Sequence, residues 1–324
     1  MGVEMKNINT NFHSLNGFSI SEEGNNDYKF YRDQWHNNPR ENEVSDFPLF
    51  LDIEATSACN LSCPHCIQTK VGFEKGFIEW DLFKRIIDEA SEGGCYGCKF
   101  HTIGRGEPLL HKNITKMVAY AKKKGLIDVY LNTNANLLTD KMSKRLLDAG
   151  LDRISFSIDG YNKEQYIKYR PGGNFGKVKY NIVNFLSHRD DGDYDCGIRI
   201  QTVVLPDIDF IKYSEFWIPF ADEVSIIDYK DMAERVDDLQ GDWVCPQPWQ
   251  RMSVLWDGKI LPCNHDDREF AALGYLGEDL SIRKAWNSSK MRFIRDIHRQ
   301  RKAEMLAACN GCFLRSSEIK KEGY

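Results

Sequence analysis

Residues 49–66 read LFLDIEATSACNLSCPHC, an apolar strand-like run that passes directly into a loop with three cysteines. Cys59, Cys63 and Cys66 are spaced C-x3-C-x2-C. Thiolates are soft ligands that suit zinc and iron–sulfur clusters. Three sulfurs on one tight loop leave a tetrahedral metal one ligand short. Two readings follow. A zinc ion takes its fourth ligand from elsewhere in the chain, or a four-iron cubane is held at three corners, leaving one iron open to a substrate or cofactor.

Outward from this loop, strand and helix patterns alternate. Strands are expected at 49–57, 99–104, 128–134, 153–159, 197–205 and 223–229. Helices are expected at 79–94, 111–125, 139–150, around 175–189 and around 209–220. Thr139 is a plausible N-cap, and Gly125 and Gly150 end two of the helices. Six such βα units predict an α/β fold, a parallel sheet covered by helices, either barrel-like or doubly wound. Chemistry in these folds sits at the carboxyl ends of the strands, where the cysteine loop lies.

The flanking regions differ. Residues 1–47 are polar and rich in Asn, Asp and aromatics, and are expected to form an irregular extension across the main domain of residues 48–230. From residue 231 the alternation stops, and 231–324 reads as a smaller unit. Residues 252–265 form a hairpin pattern with Asp257-Gly258 at its turn, and 281–309 is helical.

Composition narrows the class. The chain has 324 residues, 42% of them hydrophobic, and a net charge of −5, unlike a basic nucleic-acid-coating protein. No apolar run approaches the ~18 residues of a membrane span, and the first residues lack the apolar stretch of a secretory signal. A cytoplasmic location is expected. In that reducing compartment ten cysteines read as metal ligands or redox centres rather than disulfides.

On the triplet after the first strand, the chain resembles the radical S-adenosylmethionine (SAM) superfamily. The resemblance implies a partial (β/α)6 barrel, with a [4Fe–4S] cluster on Cys59, Cys63 and Cys66 and SAM filling the open iron position. GRGEPLL (104–110) matches the family's G-x-G-E-P run after the second strand, which implies SAM contacts at Gly104, Gly106, Glu107 and Pro108. His65 stands where the family has an aromatic residue near the adenine. Asn132, Asn134, Ser157 and Asp159, at the ends of strands three and four, are implied to face the cofactor; as plain sequence they also read as capping and turn residues. Arg170, in YRPGGNFGKV (169–178), is expected to reach the active site.

Cys245, Gly258, Cys263 and the Cys309/Cys312 pair resemble the SPASM/Twitch extension of these enzymes, through C-x12-G-x4-C followed by a helix and C-x2-C. Glu318 stands where a longer SPASM pattern would continue with cysteine. The resemblance therefore implies one auxiliary [4Fe–4S] cluster with four cysteine ligands; zinc on the same four residues is the other reading. A fully ligated cluster has no iron free for substrate, so its implied role is electron transfer. The spacing is similar to that of single-auxiliary-cluster dehydrogenases of aminoglycoside biosynthesis, which oxidise an aminocyclitol alcohol to a ketone. The implied activity is oxidation of a small sugar, aminocyclitol or sugar nucleotide. Epimerisation, deoxygenation, peptide modification and a non-catalytic electron carrier are the alternatives.

The general base is not visible in the sequence; Arg170, Lys230, Arg235 and the carboxylates Asp228 and Asp231 are candidates to contribute to removing the substrate's hydroxyl proton. Cys95 and Cys98 (CYGC) precede the second strand and Cys196 precedes the fifth, so they are expected at the amino-end face, away from the cofactor. The basic stretch from Arg283 to Lys302 is either a solvated helix face or a dock for an acidic flavodoxin- or ferredoxin-type donor.

Overall fold

The computed structural model describes residues 8–9, 26–101, 105–228 and 243–321. Seven strands, β1 (Ile8–Asn9), β2 (Phe50–Ile53), β3 (Gly97–Phe100), β4 (Asp128–Thr133), β5 (Arg153–Ser157), β6 (Gly197–Val203) and β7 (Glu223–Ile227), are parallel. Strands β2 to β7 lie side by side in chain order, with β1 beyond β7. A doubly wound sheet reverses its order at a switch point. This one does not, and its arc is that of a partial barrel. Residues of β2, β4 and β7 are buried throughout, as both-face burial of parallel strands requires.

Among the described residues, nine helices precede or follow these strands: α1 (Asn26–Glu41), α2 (Ile67–Val71), α3 (Trp80–Gly93), α4 (Ile114–Lys123), α5 (Asp140–Asp148), α6 (Lys163–Tyr169), α7 (Phe175–Asp191), α8 (Phe210–Trp217) and α9 (Gln247–Gln250). Helix α3 buries Phe83, Ile86, Ile87 and Ala90, one stripe at helical spacing. Thr139 caps α5, accepting a bond from Met142 N at 3.2 Å. Gly150 just past that helix has φ +81°, a conformation glycine adopts without strain. Helix α6 falls between two expected elements; Asn162 caps it.

The N-terminal region departs from the expected irregular extension. Its residues 26–41 form α1, which buries Tyr28, Tyr31, Trp35 and Asn38. The helix lies across the amino-terminal end of the barrel. Tyr31 stacks on Tyr96 at 5.0 Å, and Trp35 meets Phe50 edge-on at 6.1 Å. Gln250 Nε2 donates to Trp35 O at 2.8 Å, and Trp249 Nε1 to Asn42 Oδ1 at 3.2 Å.

The C-terminal region contains β8 (Arg251–Val254), β9 (Lys259–Leu261), β10 (Gly274–Tyr275), α10 (Ile282–Trp286), α11 (Ser289–Arg299) and α12 (Phe313–Lys321). The expected hairpin is β8–β9, antiparallel, with Gly258 at φ +87° in its turn. This region is not a detached unit. Strand β8 pairs in parallel with β2 over Phe50–Ile53 and Arg251–Val254 and so extends the barrel sheet. Arg105 ties the same units together through ion pairs to Glu54 at 3.0 Å and Glu269 at 2.9 Å.

Two expectations from cysteine and charge placement change. Cys98 lies inside β3 and, with Cys95, is buried in the core; the Cys95 thiol faces Leu49 O and Gly97 O. The CYGC pair is therefore packing, because strand pairing leaves its sulfurs no access to solvent. The basic stretch is not one surface. Arg295 is on the buried side of α11, its guanidinium 4.2 Å over Trp286 and its Nε donating to Pro248 O at 2.9 Å. Arg283 pairs with Asp46, and Lys290 bonds Ala272 O. No helix among the described residues is long and apolar enough to cross a membrane.

Trp35 is the largest side chain that α1 lays against the barrel. Trp35→Ala is expected to cost about 3–5 kcal/mol through the cavity it leaves, read as a lower urea midpoint; an unchanged midpoint would show that α1 is not part of the folded core.

Candidate active site

A cavity of about 480 Å³ opens inside the barrel, within the range of small-molecule sites. Cys59, Cys63 and Cys66 line it together. Their loop is held from behind by the glycine-rich run. Gly106 has φ +78°, and a Cβ there would lie 1.8 Å from Thr56 O, so only glycine permits this approach. Glu107 N donates to Ala58 O at 2.8 Å. Gln68, which the sequence did not single out, braces both sides: its Nε2 donates to Ser57 O at 2.7 Å and its Oε1 accepts from Gly106 N at 3.1 Å.

The Glu107 carboxylate is buried, and burial raises its pKa above the usual range. It accepts from Thr133 Oγ1 at 2.6 Å, Asn134 N at 2.8 Å and Leu109 N at 3.1 Å. It thereby fixes the end of β4 against the cysteine loop, and Pro108 starts a short 3-10 turn beside it. Asn134 Nδ2 in turn points 4.0 Å from Cys59 Sγ and donates to Asn60 Oδ1 at 2.9 Å.

Asp159 is fully buried and joins three elements. Its Oδ2 lies 3.2 Å from His65 Nε2 and 2.6 Å from Arg170 Nε, and its Oδ1 accepts from Thr202 Oγ1 at 3.1 Å. Burial alone would raise its pKa, but Arg170 and His65 outweigh that and hold it well below the usual carboxylate range. Asp159 is thus the anchor that sets His65 and Arg170, both of which line the cavity. Asn132, with Oδ1 buried and without a partner among the described residues, and Ser157 line it too. So does Asp228, which accepts a bond from Ser317 Oγ at 3.1 Å. Gly104, Lys230, Asp231 and Arg235 lie outside the described residues.

A second cavity gathers the other cysteines. Cys245, Cys263, Cys309 and Cys312 all line it, among Ile294, Leu306 and Leu314. They come from the loop before α9, the end of β9 and the turn before α12. Burial pushes the thiols of Cys245, Cys263 and Cys309 well above their ordinary pKa. Four cysteine sulfurs around one apolar cavity are the soft donor set that an iron–sulfur cluster takes, and a bound cluster would carry the charge of their thiolates. The same holds for the first loop, where burial raises the Cys59 thiol and pushes Cys63 up to about 11.

Three further residues were not legible as site residues. Gln247 and His265 line both cavities and form the wall between them. His298 is buried with Nε2 3.4 Å from Cys309 Sγ. Only the buried spacing Met291, Ile294, Arg295, Ile297, His298 along α11 would have pointed inward for it.

Gly106→Ala forces the glycine-rich run off the cysteine loop. After anaerobic reconstitution, iron is expected to fall from about eight to about four per chain, since a cubane holds four; a full complement would mean that the loop does not depend on this contact.

Comparison with known proteins agrees with this geometry. The radical SAM superfamily profile matches residues 53–206, and an iron–sulfur cluster-binding (SPASM) domain profile matches 245–313. A protein of Methanococcus maripaludis named "Probable GTP 3',8-cyclase" is 34% identical, over 76% of this chain and 93% of its own length. The "Tungsten-containing aldehyde ferredoxin oxidoreductase cofactor-modifying protein" of Pyrococcus furiosus is 26% identical, over 83% and 88%. The crystal structure of BtrN in complex with AdoMet and 2-DOIA shares the fold, with TM-score 0.56, 20% identity and coverage of 82% of this chain and 92% of that one. A barrel whose first loop presents three cysteines into the central cavity, joined edge to edge to a four-cysteine unit, makes this chain a member of the radical SAM superfamily with a SPASM-type iron–sulfur domain.

Proposed function

We propose that this radical SAM enzyme is an oxidoreductase that removes two hydrogens from a small hydroxylated substrate: a sugar, an aminocyclitol or a sugar nucleotide. One observation carries the reading. The four-cysteine cavity abuts the substrate cavity, Gln247 and His265 lining both, so a cluster held there would lie beside the reacting centre. Cys59, Cys63 and Cys66 would hold the cluster at which bound SAM would supply hydrogen-abstracting radical chemistry, and Cys245, Cys263, Cys309 and Cys312 would hold a cluster able to serve as electron acceptor.

The chain's own residues shape the rest. Asp159 holds Arg170 and His65 in place at the cavity wall. Burial, with Lys99 and Arg170 nearby, pushes the cavity-facing His101 down to about 3, so it stays a neutral imidazole that can hold a substrate hydroxyl by a hydrogen bond but is a weak base. Asp228, which also lines the cavity, is the better placed group to take the hydroxyl proton. Apart from the cluster triplet, no cysteine among the described residues lines this cavity. That speaks against an epimerase that returns hydrogen from a thiol. Ten free cysteines fit a cytoplasmic setting, where a flavodoxin- or ferredoxin-type protein would be the reductant.

The 34% identity to a named GTP 3',8-cyclase favours a second reading, cyclisation of a nucleotide. Product mass separates the two. With dithionite, SAM and a panel of polyols, aminocyclitols and nucleotides, the oxidoreductase reading expects 5′-deoxyadenosine together with a product two mass units lighter. In Cys309→Ala/Cys312→Ala, 5′-deoxyadenosine is expected to persist while that product falls at least tenfold. An isomeric product of unchanged mass, still formed in the double variant, would sink the oxidoreductase reading.

His298 Nε2 lies 3.4 Å from Cys309 Sγ, and an N–H donated to a cluster sulfur raises the cluster's reduction potential. Potentiometric EPR should find the auxiliary midpoint more negative in His298→Leu with iron content retained; an unmoved midpoint would remove His298 from this role.

A further inference from the structure

The lower part of the substrate cavity is cationic in a way that hydrogen abstraction does not require. Lys99, Arg153, Arg199 and Arg251 come from β3, β5, β6 and β8, and all four line it. Lys99, Tyr130 and Arg153 stand side by side in the strand register. A barrel interior built for stability alone is filled by branched apolar side chains. Burying charges there costs several kcal/mol per ion unless each is paired.

The pairing is specific. Arg153 grips Asp128 with Nε at 2.8 Å and Nη2 at 2.5 Å. Arg199 grips Glu223 Oε2 with Nε at 3.0 Å and Nη2 at 2.8 Å. Arg251 Nη1 lies 3.2 Å from Asp52 Oδ2. All three carboxylates are buried, and each belongs to a strand beside that of its arginine. Three arginines are thus held rigid against three acids, and those charges balance.

Lys99 does not share in that balance. It makes no hydrogen bond or ion pair among the described residues, and its ammonium lies 5.4 Å over the Tyr130 ring. The acid that most favours its charge is Asp52, already paired with Arg251. Arg251 Nε is also buried without a partner among the described residues. Burial, and then the neighbouring arginines, push the Lys99 amine down to about 8. One cation is left over, surrounded by preset donors, and faces the space where substrate must lie.

We propose that this cationic floor binds an anionic group of the substrate, a phosphate ester or a carboxylate, with Lys99 supplying the neutralising charge. A neutral polyol has no use for a buried ammonium, whereas an oxyanion gains charge-assisted bonds from it. The assignment rests on the oxidoreductase reading for the reacting carbon, and narrows its substrates to acidic or phosphorylated ones. The anion lies at the floor, and the reacting carbon points toward the cysteine loop at the other end.

Isothermal titration of the reconstituted full chain with SAM tests this. The probes are inorganic phosphate, acetate, glucose 6-phosphate, gluconate and glucose. Saturable binding of the phosphate probes assigns a phosphate ester, and that of acetate and gluconate assigns a carboxylate. Lys99→Met, which keeps the stem and removes the charge, is expected to weaken the bound anions at least tenfold. Arg251→Lys, which keeps charge but loses the planar fork, is expected to weaken them by a smaller factor, with circular dichroism confirming the fold of both. Failure of every anion to bind, or equal binding by wild type and folded Lys99→Met, overturns the proposal. Those outcomes leave the two-mass-unit loss on neutral substrates intact. Conversely, anion binding without such a loss on any substrate removes the oxidoreductase reading and keeps the anion site.

Discussion

The pairing of β8 with β2 is the constraint on which the rest of this molecule depends. Phe50–Ile53 has β3 on one edge and Arg251–Val254 on the other. The cysteine loop starts immediately beyond β2, and the four-cysteine cavity is built around the segments flanking β8 and β9. One ladder of backbone hydrogen bonds therefore sets the spacing between the two metal-binding regions. Arg105 adds a second tie, running from the glycine-rich run to Glu54 and Glu269. The two cavities meet at Gln247 and His265 because the β2–β8 ladder joins the two regions directly.

Within the barrel, ionic pairing does the work that apolar packing does in an ordinary (β/α) interior. Asp52, Asp128, Asp159 and Glu223 each hold an arginine in a fixed orientation. A buried pair adds little to stability, because desolvation cancels most of the attraction. What it provides is direction: the guanidinium planes are set before any ligand arrives. The lower end of the cavity is sealed by α1, which brings Trp35 and His36 into its lining.

The chemistry of the ends was readable from sequence, and the chemistry of the interior was not. C-x3-C-x2-C after a strand, the glycine-rich run and the Asp257-Gly258 hairpin are local patterns, and each lies where its spacing put it. Helix α1 was hidden because Tyr28, Tyr31 and Trp35 are scattered among Asn, Asp and Arg, and Pro39 lies near its end. Lys99, Arg153 and Arg199 were passed over because a charged residue in a strand reads as solvent-facing; only barrel closure turns that face inward. Asp159 and Glu107 were expected to meet the cofactor. The structure adds protein partners that no local pattern reveals, Thr133 for Glu107 and His65, Arg170 and Thr202 for Asp159.

The long reach of these contacts also governs how the chain comes together. Trp35 and Gln250, which close the barrel floor, are 215 positions apart, and β2 must wait a similar length of chain for β8. As the polypeptide leaves the ribosome, this edge of β2 has no partner until β8 has been made. Open edges template pairing with other chains, and late non-local pairing slows folding. A cut between barrel and hairpin that let β8 leave would therefore strip β2 of a paired edge.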